Sequence, residues 1–156
     1  MSALTSSHAQ FKEEFLATWK NSQDYTLQVA RLMPEAQYTY RPFAEAKSFG
    51  EQMVHISEAM MYHADIALSL NDSRPSPNSD DKEAVIQYLR ASYALVERHL
   101  ERMNATDLEQ RVKFWGGPTS RRKILTFAAD HITHHRGQAI VYLRMNSVKP
   151  PNYIGW

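Results

Sequence analysis

The chain has 156 residues, of which 43% are hydrophobic and 22% are charged, and its formal net charge at pH 7 is +1. This length and composition are typical of one globular domain with a single core, and we expect residues 1–156 to form it. The near-neutral charge and the lack of a basic stripe argue against a partner that is a nucleic acid or a membrane surface.

Cysteine is absent from the sequence, so any metal must be bound by His, Asp or Glu. The absence of disulfides fits a reducing compartment. The N-terminus lacks a basic region followed by an apolar run, and no apolar stretch reaches the roughly 18 residues of a membrane span. We therefore expect a cytoplasmic protein without a membrane anchor.

Apolar periodicity predicts a first helix over residues 7–31, whose aromatic side chains we interpret as core. A connection with two prolines follows, and Tyr38 and Tyr40 are expected to pack over one end of the molecule. Ser48 and Glu51 have the spacing of a capping box, which predicts that a second helix begins here and extends to about residue 70.

The stretch over residues 71–81 is rich in Pro, Ser and Asn, which predicts a solvated, mobile loop. Asp80, together with Glu83, can cap a third helix over residues 81–103. His99 lies near the end of that helix, where a histidine usually interacts with the helix dipole or caps the terminal carbonyls.

Residues 104–120 break the helical period, and their glycines and proline favour a short extended excursion or hairpin. Thr119 or Ser120 can cap a fourth helix that continues to about residue 146. The tail, residues 148–156, has aromatic ends and is expected to dock onto the body of the protein. Four long helices predict an all-α four-helix bundle, of the up-down type or a variant with long crossover connections.

The fourth helix carries a group of titratable side chains inside an apolar pattern: Asp130-His131-Ile132-Thr133-His134-His135-Arg136-Gly137-Gln138. His131 and His135 lie one turn apart on the face that points to the core. Two imidazoles in that position indicate a shared divalent metal. His55 lies on the core face of the second helix and is the natural third ligand.

Other histidines are less suited to the same ion. His63 lies roughly 80° around and about 12 Å along the helix from His55. His134 is rotated off the side of His135, which places it at the edge of the site or on the surface. The alternative is that all these histidines are satisfied by hydrogen bonds within a polar bundle core.

The sequence excludes two known kinds of metal site. It contains no His-Glu-x-x-His of a zincin protease and no Glu-x-x-His of a di-iron carboxylate bundle. A mononuclear three-histidine site with an open position for water or substrate remains. Four residues flank these histidines and are candidates to orient an imidazole or to act as a base: Glu51, Glu58, Asp130 and Gln138.

Several segments resemble the DinB family, the damage-inducible, YfiT-like group of proposed metal-dependent enzymes. The similar segments are residues 40–42, 48–56, 131–138, 142–144 and 150–153. The resemblance extends over about residues 11–153, and its most specific part is the His-x-x-x-His-Arg-Gly-Gln block together with a histidine on the second helix.

This resemblance implies a four-helix bundle in which His55, His131 and His135 bind one divalent metal, which is nickel, zinc, manganese or iron. It also implies a homodimer that acts on a small-molecule substrate. The better-understood relatives use a low-molecular-weight thiol, so a thiol-dependent S-transferase is the first expectation. The alternatives are a metal-dependent hydrolase and a non-catalytic stress-response bundle with a structural metal.

Three arginines can bind a carboxylate of such a thiol, although each is interpreted first as a surface charge: Arg122, Arg136 and Arg144. Residues 38–43 and the loop 71–81 are expected to shape the mouth of the pocket.

Overall fold

The computed structural model describes residues 3–154, with side chains from residue 7 onward. Its main elements, in chain order, are α1 (Ala3–Leu32), α2 (Phe49–Leu68), α3 (Lys82–Arg102), β1 (Arg111–Phe114), β2 (Gly117–Ser120) and α4 (Arg121–Met145). Short 3-10 helices lie at Glu35–Gln37 and Ala105–Glu109. The predicted all-α class and four helices are confirmed, and the strands form the antiparallel hairpin that the sequence favoured.

One end of the bundle collects the end of α1 and the beginnings of α2 and α3. Lys82, the first residue of α3, donates hydrogen bonds to the carbonyls of Arg31 and Met33. The amide of Gly50 in α2 donates to the carbonyl of Tyr38, whose hydroxyl in turn donates to the carbonyl of Ala30 in α1. Helices α2 and α3 therefore start where α1 finishes.

The opposite end collects the beginnings of α1 and α4 and the end of α3. Lys12 of α1 donates to the carbonyl of Met103, just after α3. The guanidinium of Arg122, at the start of α4, lies over the ring of Phe11 in α1. The helices consequently run up, down, down and up, which is the variant with long crossovers that the sequence left open. Helix α2 packs against α3 and α4, and helix α1 also packs against α3 and α4.

Side-chain caps begin three of the helices. At α2, the Ser48 hydroxyl accepts from the backbone N–H of Glu51, and the Glu51 carboxylate accepts from the N–H of Ser48, as the capping-box spacing predicted. At α3 the cap is Asp81, so the prediction of Asp80 was wrong by one residue. Ser120 caps α4.

The connection between α1 and α2 closes one end of the core. Tyr38 is fully buried and packs edge-to-face on Phe49, while Tyr40 packs edge-to-face on Tyr142 of α4. Gly155 and Trp156 lie outside the described residues, and the tail before them contacts the body, since Tyr153 packs on Tyr25. No described helix combines the length and apolar character that a membrane span requires.

Candidate metal centre

Three histidines converge from the two antiparallel helices α2 and α4. The candidate ligand nitrogens of His55, His131 and His135 all lie within 4.8 Å of one another. The His135 ring centroid lies 4.4 Å from that of His55 and 4.5 Å from that of His131. Because His131 and His135 are one turn apart in α4, both reach the single histidine that α2 presents between them.

The spacing of the nitrogens fits a shared metal. Metal–nitrogen bonds of about 2.0–2.1 Å at a tetrahedral angle place two nitrogens about 3.4 Å apart. The Nε2 atoms of His55 and His131 are 3.3 Å apart. Among the described residues, no fourth His, Asp or Glu belongs to this group, so the group can hold a metal ion with three protein ligands.

The surroundings of these three imidazoles favour the neutral form of each ring. Burial, with the nearby charges of His55 and His131, lowers the pKa of His135 to about 4. Burial also lowers the pKa of His55 and of His131, and for His55 the charges of Lys47 and His131 act in the same direction. Since a metal ligand must present an unprotonated nitrogen, these shifts favour metal binding at neutral pH.

A chain of hydrogen bonds orients one of the three rings. The Nδ1 of His135 lies 2.8 Å from the Oε1 of Gln52, which is 3% exposed. The Gln52 amide donates to Gln138 Oε1 at 2.7 Å, and the Gln138 amide lies 2.8 Å from Nε2 of His134. Because Gln52 presents its oxygen to His135, Nδ1 carries the proton and Nε2 is left free for a metal.

The residues expected to flank the histidines have different surroundings. Glu51 belongs to the capping box and pairs with Arg41 at 3.3 Å. Glu58 is exposed and accepts a hydrogen bond from Ser76 in the α2–α3 loop, and its charge partly opposes the lowering of the His55 pKa. Asp130 is exposed and acts in the same way on the pKa of His131.

Two of the remaining histidines lie where the sequence suggested. The Nδ1 of His99 is 3.0 Å from the carbonyl of Leu95, in the last turns of α3. His134 is exposed and interacts with Gln138 at the edge of the site.

Arg136 is not the surface charge that we expected first. Its side chain is only 5% exposed and lies between α4 and α1, where it donates to the hydroxyls of Ser22 and Thr26. Its guanidinium also stacks over the ring of Tyr25. Residue 136 is offset by one position from His135, which turns its side chain to a different face of α4. Arg122 pairs with Glu109, and Arg144 is exposed.

A cavity of about 340 Å³ lies beside the group of three histidines and is lined by two of them. His55 and His131 form one side of it, and the other side includes Tyr62 and His63 of α2 and Trp115 of the hairpin. The contribution of the hairpin was not predicted, because a turn residue 60 positions from His55 gives no periodic signal. Gln52 was also missed as part of the site, although it lies one turn before His55 on the same face of α2.

The fold and sequence have known relatives. The chain is 23% identical over 146 residues to the YjoA protein of Bacillus subtilis (strain 168), covering 90% of this chain and 94% of the relative. The solved structure of a DinB-like protein from Bacillus cereus matches with a TM-score of 0.79 at 19% identity, over 90% of this chain and 96% of the other. The solved structure of YjoA matches with a TM-score of 0.77 at 18% identity, over 92% of this chain and 99% of the other.

A protein-family comparison agrees with these relatives. The model of the DinB family matches residues 1–154, which is nearly the whole sequence. The match includes both helices that contribute to the group of three histidines. The protein belongs to the DinB family.

Proposed function

We propose that this protein is a metal-dependent enzyme that joins a low-molecular-weight thiol to an apolar electrophile. The observation that carries the proposal is the group of three imidazoles at the edge of a cavity. Structural zinc sites usually have four protein ligands, whereas catalytic sites keep one position for substrate or water. Three histidines beside a cavity match the catalytic pattern.

The side chains of this chain have separate tasks in such a reaction. His55, His131 and His135 hold a divalent ion, and Gln52 keeps Nε2 of His135 available for it. The bound ion supplies Lewis acidity, which favours the thiolate form of a thiol at neutral pH. The apolar cavity next to His55 and His131 holds the electrophile and excludes part of the water.

The overall reaction balances without another reactant. The thiol sulfur forms a bond to an electrophilic carbon, and the bond from that carbon to its leaving group breaks. The leaving group departs with the electron pair, and the proton of the thiol passes to solvent.

Thiol dependence is the test of this proposal. Metal-free protein is loaded separately with nickel, zinc, manganese or iron(II), and turnover of 1-chloro-2,4-dinitrobenzene is followed with cysteine or glutathione. We expect metal-dependent formation of the thioether, reduced about 100-fold or more in His55→Ala or His131→Ala, because removing a ligand removes the ion. His99→Ala is the matched control, since His99 lies on α3 and contacts its own helix.

The other outcomes have distinct meanings. If the protein hydrolyses 4-nitrophenyl acetate without thiol and His55→Ala loses this activity, the protein is a hydrolase that uses the same open position for water, and the transferase proposal is wrong. If neither activity is detected with any of the four metals, the result favours a binding role in the stress response. The homodimer and the small-molecule partner stay predictions, and sedimentation of the purified protein tests the first of them.

A further inference from the structure

The cavity beside the three histidines has an aromatic wall formed by α2 and the hairpin. The Trp115 Nε1–H donates to the hydroxyl of Tyr62 at 3.0 Å, and their rings stack at 6.2 Å. Trp115 also stacks on Phe114 at 4.9 Å and meets the edge of Phe127 at 5.7 Å. These contacts hold Trp115 in place although 67% of its surface is exposed. Large exposed aromatic side chains that are fixed beside a cavity are typical of a binding surface.

His63 gives this cavity a buried polar group whose ring interacts with the backbone of Ala59. It is 3% exposed and its ring is surrounded by aromatic rings, including Phe127 at 5.0 Å and Trp115 at 5.6 Å. Neither ring nitrogen makes a hydrogen bond of normal geometry. A buried polar group that lacks a partner costs about 1–3 kcal/mol. Both ring nitrogens are shielded from solvent, so a ligand in the cavity that His63 lines can supply a partner when the ring turns toward it.

One charged side chain lines the cavity, and it is acidic. Among the described residues that line it, Glu58 is the one that is charged at neutral pH, and no lysine or arginine takes part. The arginines suggested as carboxylate receptors are used elsewhere, Arg122 by Glu109 and Arg136 by the hydroxyls of α1. In the metal-free protein the lining is therefore better suited to a neutral or cationic group than to an anion. The charge of Lys47, which acts on His55, and a divalent ion at the histidines would both weaken the preference for a cation, so a neutral group suits the metal-loaded protein best.

We propose that this cavity binds the planar aromatic group of an uncharged or cationic small molecule. The ring lies against Trp115 and Tyr62, and a hydroxyl or carbonyl next to it pairs with His63. A positive group, where present, is favoured by Glu58 and by the aromatic faces. The inference rests on the proposed function in one respect: it names the class of the electrophilic substrate.

Three probes of similar size and different charge test the inference: benzyltrimethylammonium, benzyl alcohol and benzenesulfonate. None is a strong metal ligand, and each is titrated by calorimetry or NMR into both metal-free and zinc-loaded protein. In the metal-free protein we expect the cation and the alcohol to bind about fivefold or more tightly than the sulfonate, and zinc should weaken binding of the cation because it adds positive charge. Glu58→Gln should weaken the binding of the cation and leave the binding of the alcohol unchanged.

Two substitutions separate the contacts. His63→Phe should weaken benzyl alcohol about fivefold but not benzyltrimethylammonium, which cannot donate or accept a hydrogen bond. Trp115→Ala should weaken the binding of benzyl alcohol and of benzyltrimethylammonium about fivefold each. Phe43→Ala is the matched control, since Phe43 is 62% exposed in the α1–α2 connection, near the opposite end of α2 from Tyr62.

The outcomes keep this inference apart from the proposed function. Probe binding to metal-free protein supports the cavity even if no metal is ever retained. In the metal-free protein, absence of saturable binding of both favoured probes, tightest binding of the sulfonate, or unchanged binding in Trp115→Ala overturns the inference. None of these results affects the metal content, which is measured on the same samples.

Discussion

Gln52 decides which nitrogen of His135 faces the other two histidines. An amide presents an oxygen at one end and an N–H at the other, so the bond from Gln52 to Gln138 fixes the orientation of both side chains. With that orientation, the Gln52 oxygen accepts from Nδ1–H of His135. The two glutamines thus link helices α2 and α4 and prepare Nε2 of His135 as a ligand.

Loss of the Gln52 amide should weaken metal binding without removing a ligand. We expect Gln52→Leu to raise the Kd for zinc about 10–100-fold, because the tautomer and orientation of His135 are no longer fixed. Competition with a chromophoric chelator measures this value. Gln87→Leu is the matched control on the exposed face of α3, and an equal effect there would show that Gln52 has no specific role.

At this scale the sequence predicted the residues that repeat with a helical period. His55, His131 and His135 lie on core faces, so periodicity alone brought them together as candidates. The burial of Arg136 escaped prediction, because an arginine can either extend into solvent or turn back between helices. Contacts with α1, more than a hundred residues away, determine which of these occurs: the hydroxyls of Ser22 and Thr26 and the ring of Tyr25.

Among the elements, the start of α2 is where three parts of the chain meet. The α1–α2 connection pairs with Gly50 through the Tyr38 carbonyl, and Ser79 of the α2–α3 crossover also lies against Gly50. A Cβ built at Gly50 would lie 1.8 Å from the carbonyl oxygen of Ser79 and 3.2 Å from the ring of Tyr38. Glycine is therefore required here by close approach of backbone, within a regular helix.

Gly50→Ala should destabilise the protein by roughly 1–3 kcal/mol, since the crossover must move away from α2 to make room for a methyl group. Urea unfolding at fixed metal content measures the change. Gly137→Ala in α4 is the matched control, because nothing lies within 4 Å of a Cβ at that position. The free energy of unfolding of that control should increase by about 0.5–1 kcal/mol. A Gly50→Ala variant that is as stable as the Gly137→Ala control would exclude the close approach.

Element boundaries were predictable where side chains mark them. The capping box predicted the start of α2, and a serine cap predicted the start of α4. The predicted cap of α3 was wrong by one residue because two aspartates are adjacent there. The crossover was predicted as a solvated, mobile loop. Its contacts with α2 were not predicted, since the Ser76–Glu58 bond and the Ser79–Gly50 approach depend on tertiary packing.

For the whole molecule, helix order could not be obtained from helix patterns alone. Short connections would favour antiparallel neighbours, whereas the crossover between Leu68 and Lys82 is long enough to let α2 and α3 run parallel. The histidines contain more information about this arrangement than the apolar stripes do. If His55 shares an ion with His131 and His135, α2 must lie next to α4, as it does.

Metal removal should lower the stability of the whole bundle, because an ion at the three histidines bridges α2 and α4. At a free metal concentration 100 times the Kd, binding adds about 2.7 kcal/mol to the free energy of unfolding. For a chain of this size we therefore expect chelation to lower Tm by about 5–10 °C. Calorimetry of metal-loaded and chelated protein measures the shift, which should vanish in His131→Ala and persist in His99→Ala. An equal shift in His131→Ala would place the stabilising ion elsewhere on the protein.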